Sequence, residues 1–149
     1  MPVFTIGYEQ ATVPSVLDVM SHAGVELLVD VRAVAASRRP GFSKRQLAAH
    51  VDERGIGYVH LRDLGTPAEG RTAARAGRHA LMREIFDAHM RTPQAQAELD
   101  ELIGLVRAGR SVCLLCFERH PDHCHRSIVA RLVCEATGEA PTHLYGAPV

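Results

Sequence analysis

The run from Cys116 to Arg126, Cys-Phe-Glu-Arg-His-Pro-Asp-His-Cys-His-Arg, places thiols, histidines, carboxylates and arginines within one short connection. These are the side chains of nucleophilic and acid/base chemistry on an anionic substrate. Asp122 reads as the N-cap of a helix, which would put Cys124 and His125 in its first turn, where free backbone N–H groups and the helix dipole lower a thiol's pKa and attract anions. Arg126 adds a planar fork suited to phosphate or carboxylate. Cys116 stands as nucleophile or polar wall. Glu118 and Asp30 stand as acid and base, because carboxylates sharing a crevice have their pKa values driven apart. Structural alternatives stay open: Cys124 also fits the buried stripe of the helix, and Asp30 can pair with Arg32 or Arg126 to hold the rim.

The spacing of Cys113 and Cys116 resembles half of a zinc knuckle. In an extended strand, however, side chains three apart point to opposite faces, and a rise of about 3.3 Å per residue separates their Cα atoms by roughly 10 Å. Cys113 therefore reads as a core residue, as does Cys134 in the last helix's apolar stripe. A smaller set drawn from Cys116, His120, His123, Cys124 and His125 stays open as a group of metal ligands, but its spacing follows no closed structural pattern, so no cofactor is assigned.

These residues need strand ends and helix starts to position them. Val3 to Ile6 reads as a first strand leading into Gly7-Tyr8-Glu9, and Thr12 as an N-cap with Pro14 in the first turn of a helix that stops at Gly24. Val25 to Val31 suits a strand buried on both faces. After the basic loop Ala33 to Gly41, Ser43 and Gln46 form a capping box and Phe42 and Leu47 a hydrophobic staple for the next helix. Gly57 to Leu61 gives a third strand. Arg62 to Arg78 shows no period and reads as a stretch without structure of its own, a lid, a binding loop or a disordered segment, rich enough in arginine to close over an anion. Leu81, Ile85 and Met90 mark one helix, and Thr92-Pro93 caps another that ends near Gly109. Val112 to Cys116 is the fourth strand, a helix follows as far as Gly138, and Thr142 to Tyr145 is a short fifth strand.

Strands alternating with helices predict a single α/β domain over residues 1–149, a three-layer sandwich around a mostly parallel sheet of about five strands. Its strand carboxyl ends share one edge, gathering Tyr8, Asp30, Arg32, Cys116 and Glu118 around a crevice.

Seventeen basic and seventeen acidic residues cancel, which removes any general attraction to nucleic acid or membrane. The distribution is uneven. Arg32, Arg38, Arg39, Lys44 and Arg45 occupy Val31 to Val51 without an acid, so Arg32 and Arg38 join Tyr8 as candidate anion contacts. No aromatic residue lies between Tyr8 and Phe42 to form a base-stacking platform, leaving nucleic acid a weakly supported partner. The amino terminus lacks the features of a signal peptide and no apolar run approaches a membrane span, so a cytoplasmic protein without membrane contact is expected. In that compartment cysteines are expected as free thiols, ligands or catalysts rather than disulfides.

Thr5-Ile6-Gly7-Tyr8-Glu9, Asp30-Val31-Arg32, Ser37-Arg38-Arg39, Gly41-Phe42-Ser43, Tyr58-Val59-His60-Leu61, Leu64-Gly65 and the motif Cys116-x-Glu118 to Cys124-His125-Arg126 resemble the family named domain of unknown function 488. The resemblance covers nearly the whole chain and implies a small cytosolic α/β protein, with no activity attached. Gln10, Ala35 and His120 depart from that family's usual Gly, Pro and acid. A weaker resemblance is to rhodanese-like domains, through Leu28-Val29-Asp30-Val31-Arg32 and the approach to Arg126-Ser127. The nine residues between Cys116 and Arg126 exceed a tight anion cradle, which argues against a persulfide or phosphocysteine mechanism.

The leading expectation is an enzyme, hydrolase or transferase, acting on a small phosphorylated or nucleotide-like anion held by Arg32, Arg38, Arg126, Tyr8 and the Cys124-His125 turn. The alternatives are a nucleotide or nucleic-acid-end binding module without catalysis, and a thiol or metal redox sensor. The oligomeric state does not follow from the sequence.

Overall fold

The computed structural model describes residues 2–148. Five strands, β1 (Val3–Gly7), β2 (Leu27–Asp30), β3 (Gly57–His60), β4 (Val112–Cys116) and β5 (Pro141–Leu144), form one sheet in the order β3-β2-β4-β1-β5. Every pairing is parallel. The expected α/β sandwich is therefore present.

Alternation along the strands builds two cores. Val3, Leu27, Val29, Val112, Leu114 and Cys116 join one apolar cluster, while Phe4, Ile6, Leu28, Cys113 and Leu115 join the other. Cys113 and Cys116 thus face opposite layers, as a period of two requires. Helices α1 (Val13–Ala23) and α2 (Lys44–Glu53) cover the Cys113 face. Helices α3 (Ala68–Arg75), α4 (His79–Met90), α5 (Pro93–Arg107) and α6 (Arg126–Thr137) cover the Cys116 face. The chain runs from β1 through β2 to β3 with helices on one face, then back through β4 to β5 with helices on the other, as right-handed crossovers demand. The loops leaving β2 and β4, adjacent strands, consequently diverge to opposite faces and open a crevice at the strand carboxyl ends.

Helix α1 starts as read: Thr12 and Ser15 bond reciprocally to each other's backbone N–H, and Gly24 at φ 80° closes the other end. Three local expectations are corrected. Ser43 makes no capping bond to α2. Its hydroxyl instead accepts from Ser37 N–H and donates to the Ser37 carbonyl, closing the basic loop on itself, while Phe42 and Leu47 are both buried. The stretch from Arg62 to Arg78 is not structureless, but holds a 3-10 turn at Arg62–Leu64 and α3. The buried face of α3 is Gly70 and Ala73, residues too small to produce an apolar period. A Cβ on Gly70 would lie 2.3 Å from Thr66 Cγ2.

The third correction concerns the last long helix. Asp122 falls in a 3-10 turn at Pro121–His123, Cys124 is extended, and His125 is the N-cap of α6. Cys124 and His125 therefore precede the helix. No helix among the described residues is long and apolar enough to cross a membrane.

Candidate functional site

The strand ends are tied together before any side chain contributes. Tyr8 N–H donates to the Cys116 carbonyl at 3.2 Å, Glu9 N–H to that of Phe117 at 2.8 Å, and Val31 N–H to that of Leu115 at 3.2 Å. On the β2 side, Asp30 is wholly buried and holds Arg32 through a bidentate pair, Nε to Oδ1 at 2.8 Å and Nη2 to Oδ2 at 2.7 Å. Arg32 Nη1 also donates to Tyr8 Oη at 3.1 Å and the Phe42 carbonyl at 2.7 Å, and Tyr58 Oη donates to Asp30 Oδ2. Burial alone would lower the Arg32 pKa, but Asp30 and Tyr8 raise it, and burial followed by Asp30 raises that of Tyr58. Tyr8 stacks on Phe42 with ring centroids 4.4 Å apart and meets Phe117 edge-on.

On the β4 side, Arg126 is wholly buried and has no carboxylate partner among the described residues. Its Nη1 donates to the Glu118 carbonyl and approaches Cys116 Sγ at 3.2 Å, and Nη2 donates to the Arg119 carbonyl at 3.2 Å. Burial lowers its pKa to about 10, so it stays charged at neutral pH. Gly7 makes this approach possible: a Cβ there would fall 1.7 Å from the Glu118 carbonyl oxygen and 2.9 Å from Arg126 Nη1.

Cys116 and Cys124 are joined by a disulfide, with Cα atoms 7.3 Å apart. The expectation of free thiols thus fails for this pair and holds for Cys113 and Cys134, both buried. The reason is local: β4 ends with Cys116 on the α6 side, and the 3-10 turn carries the chain back so that Cys124 arrives beside it. Burial pushes the Cys113 thiol up, in keeping with a core residue. Glu118 Oε2 stands 3.8 Å from Cys116 Sγ, and burial raises its carboxyl. His125 is buried and held neutral, its pKa lowered to about 4 by desolvation. Its Nε2 lies 2.7 Å from the Val31 carbonyl and its Nδ1 3.6 Å from Cys124 Sγ. Since a carbonyl only accepts, Nε2 carries the proton and the Nδ1 lone pair faces the sulfurs.

A cavity of about 770 Å³ opens over these groups. Among its wall residues are Tyr8, Arg32, Arg38, Cys116, Glu118, Cys124 and His125, all drawn from the sequence reading. Asp30 and Arg126 lie behind the wall, where Asp30 fixes Arg32 and Arg126 fixes the loop after β4. Arg39, Arg71, Arg75, Ser37, Thr66 and His123 complete the polar lining. Arg71 and Arg75 were legible only as part of an arginine-rich segment, and Thr66 carried no signal. Arg71 and Arg39 are oriented by backbone carbonyls, those of Thr66 and Ala11, while neither guanidinium of Arg38 and Arg75 makes a hydrogen bond among the described residues. His120 and His123 are exposed, and His123 stacks on His79 at 4.2 Å.

No curated protein and no solved structure is significantly similar to the chain. A family model does match, over residues 12–133, which spans α1 through most of α6 and takes in every wall residue but Tyr8. The chain belongs to the family described as domain of unknown function DUF488.

Proposed function

We propose that this crevice binds a small anion, phosphorylated or nucleotide-like, and is the active site of an enzyme acting on it. The observation that carries the reading is the charge of the wall: Arg32, Arg38, Arg39, Arg71 and Arg75 face Glu118 as the one acid. In a chain of zero net charge this concentration is local. Among the described residues only Arg32 of the five has a carboxylate partner. Arginine forks supply paired N–H donors to phosphate, and low-dielectric walls strengthen the field between them. Glu118, set beside the sulfur pair at the floor, is the group placed to carry a proton to or from the bound anion.

A thermal-shift screen of inorganic phosphate, pyrophosphate and nucleoside phosphates tests the binding. At least one is expected to stabilise the protein, and Arg38→Ala with Arg75→Ala should weaken that ligand by about tenfold or more. Absence of any stabilising anion, or equal binding by the double variant, contradicts the reading. Turnover of a bound compound that Glu118→Gln abolishes while binding persists supports an enzyme. Binding without turnover of any anion leaves a binding module instead.

A further inference from the structure

Three buried groups, Cys116 Sγ, Cys124 Sγ and a ring nitrogen of His125, lie within 4.8 Å of one another at the cavity floor. We propose that the reduced pair and His125 hold a single divalent transition-metal ion, zinc by the chemistry of its donors.

Three features of the geometry support the site. The Cα atoms of Cys116 and Cys124 are 7.3 Å apart, beyond the roughly 4.4–6.8 Å usual for a disulfide. Two Zn–S bonds of about 2.3 Å span a wider gap than one S–S bond and suit that separation. The Val31 carbonyl accepts from His125 Nε2 at 2.7 Å, leaving the Nδ1 lone pair directed at Cys124 Sγ, 3.6 Å away. A ligating histidine whose other nitrogen donates to a backbone carbonyl is the common outer-shell arrangement of metal sites. Arg126 Nη1, 3.2 Å from Cys116 Sγ, gives that sulfur a charged N–H donor, and two thiolates offset the charge of a divalent ion in a buried place.

Cys116, Cys124 and His125 all reach the cavity wall. Three protein ligands with a fourth position open to a cavity describe a catalytic metal rather than a structural one, and a water in that position would be acidified. Glu118, with Oε2 3.8 Å from Cys116 Sγ, lines the same cavity. That such a water would meet an anion rests on the proposed function; the metal site itself stands without it.

Loading begins by splitting the bridge. A water-soluble phosphine gives two electrons to the S–S bond and takes the oxygen of one water, yielding phosphine oxide and two thiols. The metal then displaces both thiol protons to solvent and forms two metal–sulfur bonds and one metal–nitrogen bond. Bridged protein lacks both thiolates and is expected not to bind, so oxidation and metal occupancy exclude each other.

Full-length protein, reduced with phosphine without oxygen and freed of excess reagent, is titrated with cobalt(II) and then with zinc(II), no anionic ligand being present. The expected result is one cobalt per chain, with thiolate-to-cobalt charge-transfer absorption and the intense visible bands of a tetrahedral site, displaced by zinc. Cys116→Ser and Cys124→Ser should each weaken binding by about 100-fold or more, while Cys134→Ser leaves it unchanged. The wild-type spectrum needs no variant to fold. Weak octahedral bands without thiolate charge transfer, equal binding by bridged protein, or equal binding by Cys124→Ser would each overturn the site. Failure here with a positive phosphate screen removes the metal and keeps the anion pocket; the reverse keeps the metal alone.

Discussion

Arg32 and Arg126 are both buried at the same cavity, and they meet the penalty of a buried charge differently. Arg32 has a full counter-ion in Asp30, two residues away, and a second layer in Tyr8 and Tyr58. Arg126 has two backbone carbonyls and a sulfur. Burial accordingly lowers the pKa of Arg126, whereas the Asp30 pair outweighs burial at Arg32. A buried charge is retained most easily where its partner is also charged. The β2 side is thus electrostatically closed and serves as a fixed post. The β4 side holds Glu118 but no ion pair for its arginine, and reduction of the bridge would add a thiolate at Cys116. Chemistry is therefore expected on the β4 side of the crevice and positioning on the other.

The contrast is broken most severely at Asp30. Asp30→Ala strands the Arg32 guanidinium without a counter-ion and should lower stability by about 3–5 kcal/mol, read as a fall in the urea midpoint. Gly7→Ala attacks the other side, forcing the loop after β4 off Arg126. Its expected loss is about 2–3 kcal/mol, with crystallographic displacement of the Glu118 carbonyl as a second check. Tyr58→Phe removes one donor to Asp30 and keeps the ion pair, so a loss of about 1.5–2 kcal/mol in the same denaturation is predicted. Gln10 belongs to neither side and sits at φ 60°, a region where glycine fits without strain. Gln10→Gly should raise stability by about 0.5 kcal/mol, leaving both arginine networks intact.

The sheet was readable because burial writes itself into residue type: Val112 to Cys116 is an uninterrupted apolar run, and its limits match β4. The Thr12 cap was readable because its partner, Ser15, is three residues away. Ser43 shows where such reading ends, since Ser37, six residues earlier, competes for the same hydroxyl. Helix α3 was hidden by its small buried residues. At the site, the rule that strand ends gather at one rim brought Tyr8, Arg32 and Cys116 together, but could not say that Arg126 would be covered by its own loop. The meeting of Cys116 with Cys124 depended on a 3-10 turn at Pro121–His123 that shifts the start of α6 past His125. Neither propensity nor spacing encodes that shift.

The claim on which the functional account rests is that the wall arginines act together on one anion. Guanidinium carbon resonances of labelled protein, followed while inorganic pyrophosphate is added, address it directly. Arg38, Arg71 and Arg75 are predicted to move along one saturating curve with a common midpoint, while Arg54 and Arg131, paired on the surface with Asp18 and Glu135, stay in place. Uniform drift of all arginines, or wall signals that never move, would contradict it.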